Sequence, residues 1–304
     1  MTNKERYHRL CERETTIPIF SKDWWMDTIC GEDGWDVYLV GNGMDIKASL
    51  VYSIQEDEQG KFIGRLMLTQ TNGVWIKYAA DQGIAARQSY EEKIINEFCD
   101  YIESLGLKRY DQQYHYHFYN YLPFFWRYYK EITRYTYVIE NTGDMEAVRR
   151  GYTSKLKNAL RKAERLLHIE EMTDLEEFYR INEMSFKRQE VKIPYSFAYF
   201  KELYLACKKH DSAMLLCAKD EEGHTQSVAM LVWDEMSVYY LLNGTNPELK
   251  SCQGNDLLID HSIEVAHKRG LKFDFEGSVI KNVNHAFREF GGTPVPYFRI
   301  FKEF

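Results

Sequence analysis

The chain has 304 residues, about twice the length at which a single hydrophobic core is usual, so two domains of about 150 residues are expected. It is 44% hydrophobic, 15% aromatic and 28% charged, which excludes extended disorder. A net charge of -7 excludes a general nucleic-acid coat and leaves room for a local basic site.

The six cysteines (Cys11, Cys30, Cys99, Cys207, Cys217, Cys252) form no CxxC pair and no Cys/His zinc spacing, so reduced thiols are expected. His115 and His117 share a strand face without an evident third ligand, and no metal site is expected. No apolar run approaches the roughly 20 residues of a membrane span. "MTNKERYHRL" lacks the apolar centre of a signal peptide, so a cytoplasmic location is expected.

In chain order, "SKDWWMDTI" reads as a capped helix and "WDVYLV", "DIKASLVYSI" and "FIGRLMLTQ" as strands. The stretch "RQSYEEKIINEFCDYIESLG" is an amphipathic helix with Ile94, Ile95, Phe98, Tyr101, Ile102 and Leu105 inward. A strand "YDQQYHYHF", a short helical piece "PFFWRYY" and a strand "RYTYVIE" follow. The aromatic run "YLPFFWRYY" is expected to be interdomain core.

A helix over 145–167 is expected to open the second domain, so the division falls at 1–142 and 143–304. Its stretch 149–167 carries seven basic residues (Arg149, Arg150, Lys155, Lys157, Arg161, Lys162, Arg165) against one acid, Glu164. Arg150, Lys157 and Arg161 fall at helical spacings and form a candidate phosphate-binding stripe. A solvated helix is the alternative, and RNA binding through 149–165 a weaker reading.

Beyond it come the strand "HIEEM", a helix behind Thr173/Asp174 and a helix capped by Ser196. Three strands with tight turns, "AMLLCAKD", "TQSVAMLVWD" and "SVYYLLNG", then form an antiparallel meander. The helix "NDLLIDHSIEVAHKRG" ends at Gly270 and leads to the strand "KFDFE", a further helix and a closing strand "PYFRIFKEF". The order is βααβββαβαβ, and the fold class expected is α+β.

That order, with "IPIFSKDWWMDTIC", "LTQTNGVWIKY", "YNYLPFFWRYYKEITRYTYVIE", "KLKNALRKAER", "YYLLNGTNP" and "FDFEGSVIKNVNHAFREFGGTPVPYF", resembles the FemAB-like branch of the GNAT acyltransferase superfamily over the whole chain. The resemblance implies two tandem GNAT-like domains, each a mixed, mostly antiparallel sheet flanked by helices. It also implies transfer of an acyl or aminoacyl group to an amine or hydroxyl acceptor, an envelope precursor among them. No tightly bound cofactor is implied, and the co-substrate is acyl-CoA or aminoacyl-tRNA, with tRNA as a candidate partner. Ordinary GNAT acetyltransferases open the helix after the meander with a glycine-rich loop, whereas "LKSCQGND" offers Gly254 without a second small residue in register.

Asp274 and Glu276 on one face of "KFDFE" are candidate general bases for the attacking amine. The alternative is pairing with Lys272 or Arg288, or capping at Ser278. The turn Gly277-Ser278 is a candidate anion or oxyanion site. Tyr240 is a candidate acid to the leaving group, and Asn243, Gly244, Gly254 and Asn255 are candidates for lining the donor site. The competing reading is a catalytically degenerate GNAT-like module that binds a nucleotide, tRNA or envelope precursor.

Overall fold

The computed structural model describes residues 1–249, 252–277 and 281–304. Its contacts divide the chain into two compact units, Met1–Arg134 with Pro296–Phe304, and Tyr135–Val295. The division precedes the expected break after residue 142, and the last residues return to the first unit.

In chain order the first unit holds α1 (Asn3–Cys11), α2 (Asp23–Cys30), β1 (Asp36–Asn42), β2 (Asp45–Tyr52), β3 (Ile54–Asp57), β4 (Gly60–Ile63), β5 (Val74–Ile76), α3 (Ile84–Ser104), β6 (Arg109–Gln113) and α4 (Leu122–Trp126). Strand β7 (Lys130–Ile139) begins in this unit and ends in the second. The order β1-β2-β5 forms one antiparallel sheet. In the other sheet β4 runs parallel to β6, with Phe62 opposite Arg109.

Helix α3 buries Ile94, Ile95, Phe98 and Ile102 against Leu50, Tyr52, Tyr110 and Tyr114, the apolar face its spacing implies. Two expectations fail here. The run "FIGRLMLTQ" is strand only to Ile63, and Val74–Ile76 takes the place beside β2. In "YLPFFWRYY" only Pro123, Phe124 and the second tyrosine of the pair, Tyr129, are buried, while Phe125 (58%), Trp126 (56%) and Tyr128 (87%) are exposed. A helix of five residues has one inward face, and that face is taken by Phe124.

The second unit continues with α5 (Met145–Arg150), α6 (Ser154–Ala163), β8 (His168–Glu171), α7 (Leu175–Lys187), α8 (Phe197–Lys209), β9 (Ala213–Lys219), β10 (Thr225–Trp233), β11 (Ser237–Thr245), α9 (Gly254–Arg269), β12 (Lys272–Asp274), α10 (Lys281–Glu289) and β13 (Thr293–Glu303). Strand β13 starts here and ends in the first unit, where Arg299–Glu303 pair antiparallel with Arg109–Gln113 of β6.

Within the second unit β8 to β11 are antiparallel, β12 lies parallel to β11, and Phe273 and Asp274 pair with Ile139 and Val138 of β7. Each unit is therefore α+β, with a mostly antiparallel sheet and helices. The caps are those expected: Asp174 and Ser196 accept from Glu177 and Tyr199 N–H, and Gly270 closes α9 in the left-handed region.

The single basic helix over 145–167 is instead two. Gly151 ends α5 and the Thr153 hydroxyl caps α6 by accepting from Leu156 N–H at 3.3 Å.

Candidate active site

The meander brings β11 beside β12, and the two strands pair only at Ser237–Lys272, Val238–Phe273 and Tyr239–Asp274. Past Tyr239 the described ladder stops. On the other edge, Met230 faces Leu242 while Leu231 faces Tyr240, so Leu241 is an extra residue in β11. Such a bulge bends a strand and releases a backbone group from its ladder.

Along the bulged end, the Asn243 carbonyl accepts from Asn182 Nδ2 at 2.6 Å, and Tyr195 donates to Asn182 Oδ1 at 2.5 Å. Gly244 packs against α7, where a Cβ would come 2.8 Å from Asn182 Cα. Thr245 N–H donates to Ser185 Oγ at 2.8 Å.

Beside it, the start of α9 borders a cleft of about 250 Å3 lined by Gln226, Thr245, Cys252, Gln253, Gly254, Asn255 and Asp256. Gln253 precedes the helix at φ 58, a strained conformation for a residue with a Cβ. Gln226 is 3% exposed and its Nε2 has no hydrogen-bond partner among the described residues. Gly254 meets a packing need, because a Cβ there would lie 2.8 Å from Ser227 Oγ. Burial raises the Asp256 carboxyl, with Glu289 adding to the effect.

Tyr240 is 2% exposed and donates to Asn255 Oδ1 at 3.0 Å, which joins β11 to the first turn of α9. Burial raises its phenol, and Asp256 raises it further.

At the end of β12 the structure departs from the expected "KFDFE" strand, which stops at Asp274. The Asp274 carboxylate accepts from the Glu276 N–H at 2.8 Å and from the Thr136 hydroxyl, and the Thr136 oxygen in turn accepts from Gly277 N–H at 3.0 Å. This side-chain turn draws the chain out of the ladder. Among the described residues Asp274 pairs with neither Lys272, which is 2.6 Å from Glu140, nor Arg288.

Glu276 sits at φ 61, so it does not share the strand face of Asp274 by simple alternation. Gly277, at φ 29, is pressed on β7, where a Cβ would lie 2.3 Å from Tyr135 O. Ser278 lies outside the described residues.

Both carboxyls are perturbed. Burial pushes Asp274 up to about 6, against the pull of its Thr136 and Glu276 donors. Burial and the neighbouring Asp274 and Asp234 carboxylates push Glu276 well above the ordinary carboxylate range.

The basic residues are drawn into local contacts. Arg150 lies 3.7 Å from Asp144 and 3.9 Å from Glu146, Lys157 donates to the Arg150 carbonyl at 2.9 Å, and Arg161 donates to Asn158 Oδ1 at 3.1 Å. They stand on two helices rather than along one. Among the described residues no group of three or more His, Cys, Asp or Glu has the placement to hold a metal.

Residues 148–280 match the acetyltransferase (GNAT) domain family. With the whole-chain likeness to a solved FemX structure, TM-score 0.71, that match decides the fold.

The chain has a FemX-like fold and carries a GNAT-domain match over residues 148–280. The FemX structure shares 13% identity over 98% of this chain and 96% of its own. The C-terminal domain of a putative lysylphosphatidylglycerol synthetase from Agrobacterium fabrum aligns at TM-score 0.62, 11% identical, over 100% of this chain and 93% of its own. A tandem GNAT protein from the clavulanic acid biosynthesis pathway aligns at TM-score 0.53, 9% identical, over 99% and 94%. No curated protein matches the chain by sequence.

The site also includes residues that sequence reasoning missed. Asp234, in the β10–β11 turn, accepts from Met236 N–H at 2.8 Å, Ser237 N–H at 3.0 Å and Tyr239 hydroxyl at 3.0 Å. Thr136, which holds Asp274, gives no local signal in "RYTYVIE". Gln226 does give one, since an amide in an otherwise buried strand marks a polar demand.

Proposed function

We propose that the protein transfers an acyl or aminoacyl group to an amine or hydroxyl acceptor by direct attack, with the reaction in its second unit. The observation that supports this most is the bulged β11 parting from parallel β12 next to the start of α9. Released strand groups suit the donor carbonyl, and helix N-terminal N–H groups suit a phosphate or oxyanion.

Glu276 takes the proton of the attacking group in its ionised form, while Asp274 positions it through the turn with Thr136. The nucleophile's lone pair forms the new bond to the carbonyl carbon, and the bond to the CoA sulfur or the tRNA ribose oxygen breaks. A carboxyl that burial and neighbouring carboxylates raise above its ordinary range binds a proton more readily, as a general base must. Tyr240 and Asn255 act together, with the phenol aligning the first turn of α9.

The donor is acyl-CoA or aminoacyl-tRNA. A cell-envelope precursor is the acceptor class we favour, since a putative lysylphosphatidylglycerol synthetase shares the fold. No helix among the described residues is long and apolar enough to cross a membrane; a cytoplasmic site of action is part of this proposal. Arg150, Lys157 and Arg161 are proposed phosphate contacts, with tRNA as the partner, because their existing bonds are solvent-exposed.

Titration with fluorescent CoA, followed by aminoacylated tRNA as competitor, tests the donor. CoA binding that tRNA does not displace assigns acyl-CoA; salt-sensitive tRNA binding without CoA binding assigns aminoacyl-tRNA. A second reading, a degenerate module that binds a nucleotide, tRNA or envelope precursor, is favoured by the lone Gly254 and its packing role. It requires ligand binding with no turnover across both donor classes.

A further inference from the structure

The first unit holds a cavity of about 500 Å3 that the proposed transfer does not use. Val74, Trp75, Ile76 and Phe118 are buried in its apolar wall. Lys77, Arg87, His115 and His117 also line it, and His115 is 6% exposed. Among the described residues Glu14 is the one lining carboxylate, and it already accepts from Lys77 Nζ at 3.1 Å and from Thr16 Oγ1 at 2.8 Å.

Arg87 is the best-organised donor of the wall. Its guanidinium carbon lies 3.7 Å from the ring centre of Tyr78 and 4.8 Å from that of Tyr119. From behind, its Nε donates to buried Glu91 Oε1 at 3.4 Å, and Asn120 Nδ2 donates to the other Glu91 oxygen at 2.9 Å.

A guanidinium whose plane is fixed this way keeps in-plane N–H donors for a carboxylate or phosphate, at little further entropy cost. Tyr78, Tyr119 and Trp75 add aromatic surface to the lining that suits a planar partner. The volume is that of a small-molecule site, in the usual range of about 300 to 1,000 Å3.

We propose that this cavity is a second ligand site, which binds a planar ring compound bearing one carboxylate or phosphate, with Arg87 on the oxyanion and the aromatic wall on the ring. The site is independent of the transfer reaction, so its binding is read without any acyl donor.

Calorimetric titration of the full chain with naphthalene-2-carboxylate, 2-naphthyl phosphate and the neutral 2-naphthalenemethanol tests it. At least one acid should bind about tenfold or more tighter than the alcohol, and the tighter acid identifies the oxyanion. Arg87→Gln should reduce that preference to near unity. Tyr119→Ala, at an exposed position that folding tolerates, should weaken the acid about fivefold or more. Equal binding of acid and alcohol, binding of neither acid, or acid affinity unchanged in Tyr119→Ala would overturn the proposal.

Discussion

The carboxyl of Asp274 is held at about 6, above the roughly 4 of an unfolded aspartate, so the folded chain carries the extra proton between those values. The contribution of this group to stability should therefore fall as pH rises from about 4 to 6, by on the order of 2–3 kcal/mol, and change no further above that. Glu276, also raised, acts with the same sign. Asp274→Asn keeps an acceptor for Thr136 and Glu276 N–H, so it should flatten the dependence and stabilise the protein at pH 7; guanidinium midpoints from pH 4 to 8 measure this. Glu276→Gln should lower kcat about 100-fold or more while donor binding is retained, the loss expected of a removed general base. Unchanged kcat would return the base to another residue.

At the scale of elements, two glycines that both read as ligand-lining separate by what stands opposite them. A Cβ on Gly244 meets the Asn182 backbone at 2.8 Å, which cannot give, whereas one on Gly254 meets side-chain atoms only, Ser227 Oγ at 2.8 Å and Gln226 Cγ at 3.1 Å, which can shift in part. Gly244→Ala should cost about 1–3 kcal/mol by overpacking, and Gly254→Ala less than about 1.5 kcal/mol, both read from denaturant midpoints. The basic segment shows a similar contrast. Arg149 is bound on α9, to Asp260 Oδ2 at 2.6 Å and to Glu264, while Tyr152 also donates to Asp260 at 2.9 Å. Arg149→Met should thus destabilise by about 1–3 kcal/mol, because Asp260 is buried, and Arg161→Met by little.

Across the whole molecule, β7 and β13 each serve both units, so the chain does not separate where composition suggests. A 143–304 fragment lacks Tyr137 and Ile139 of the second unit's core, the Phe275 N–H to Tyr137 O bond of 3.0 Å, and Thr136. Its solubility and denaturant midpoint should fall well below those of a fragment that begins at 130.

Much of this fold is legible locally. Helix caps at Asp174 and Ser196, the left-handed Gly270, the inward face of α3 and the order βααβββαβαβ all follow from spacings within a few residues, where backbone sterics and apolar periodicity act. The sequence also marked the stretch holding Glu276 and the start of α9 as candidate sites, and the structure describes both except residues 278–280. Tertiary structure alone decided that β12 stops at Asp274, that Tyr240 is tied to Asn255, and that the aromatic run at 122–128 is largely exposed. The reason is distance along the chain: the hydroxyl that holds Asp274 comes from Thr136, 138 residues away, and no local pattern encodes such a partner.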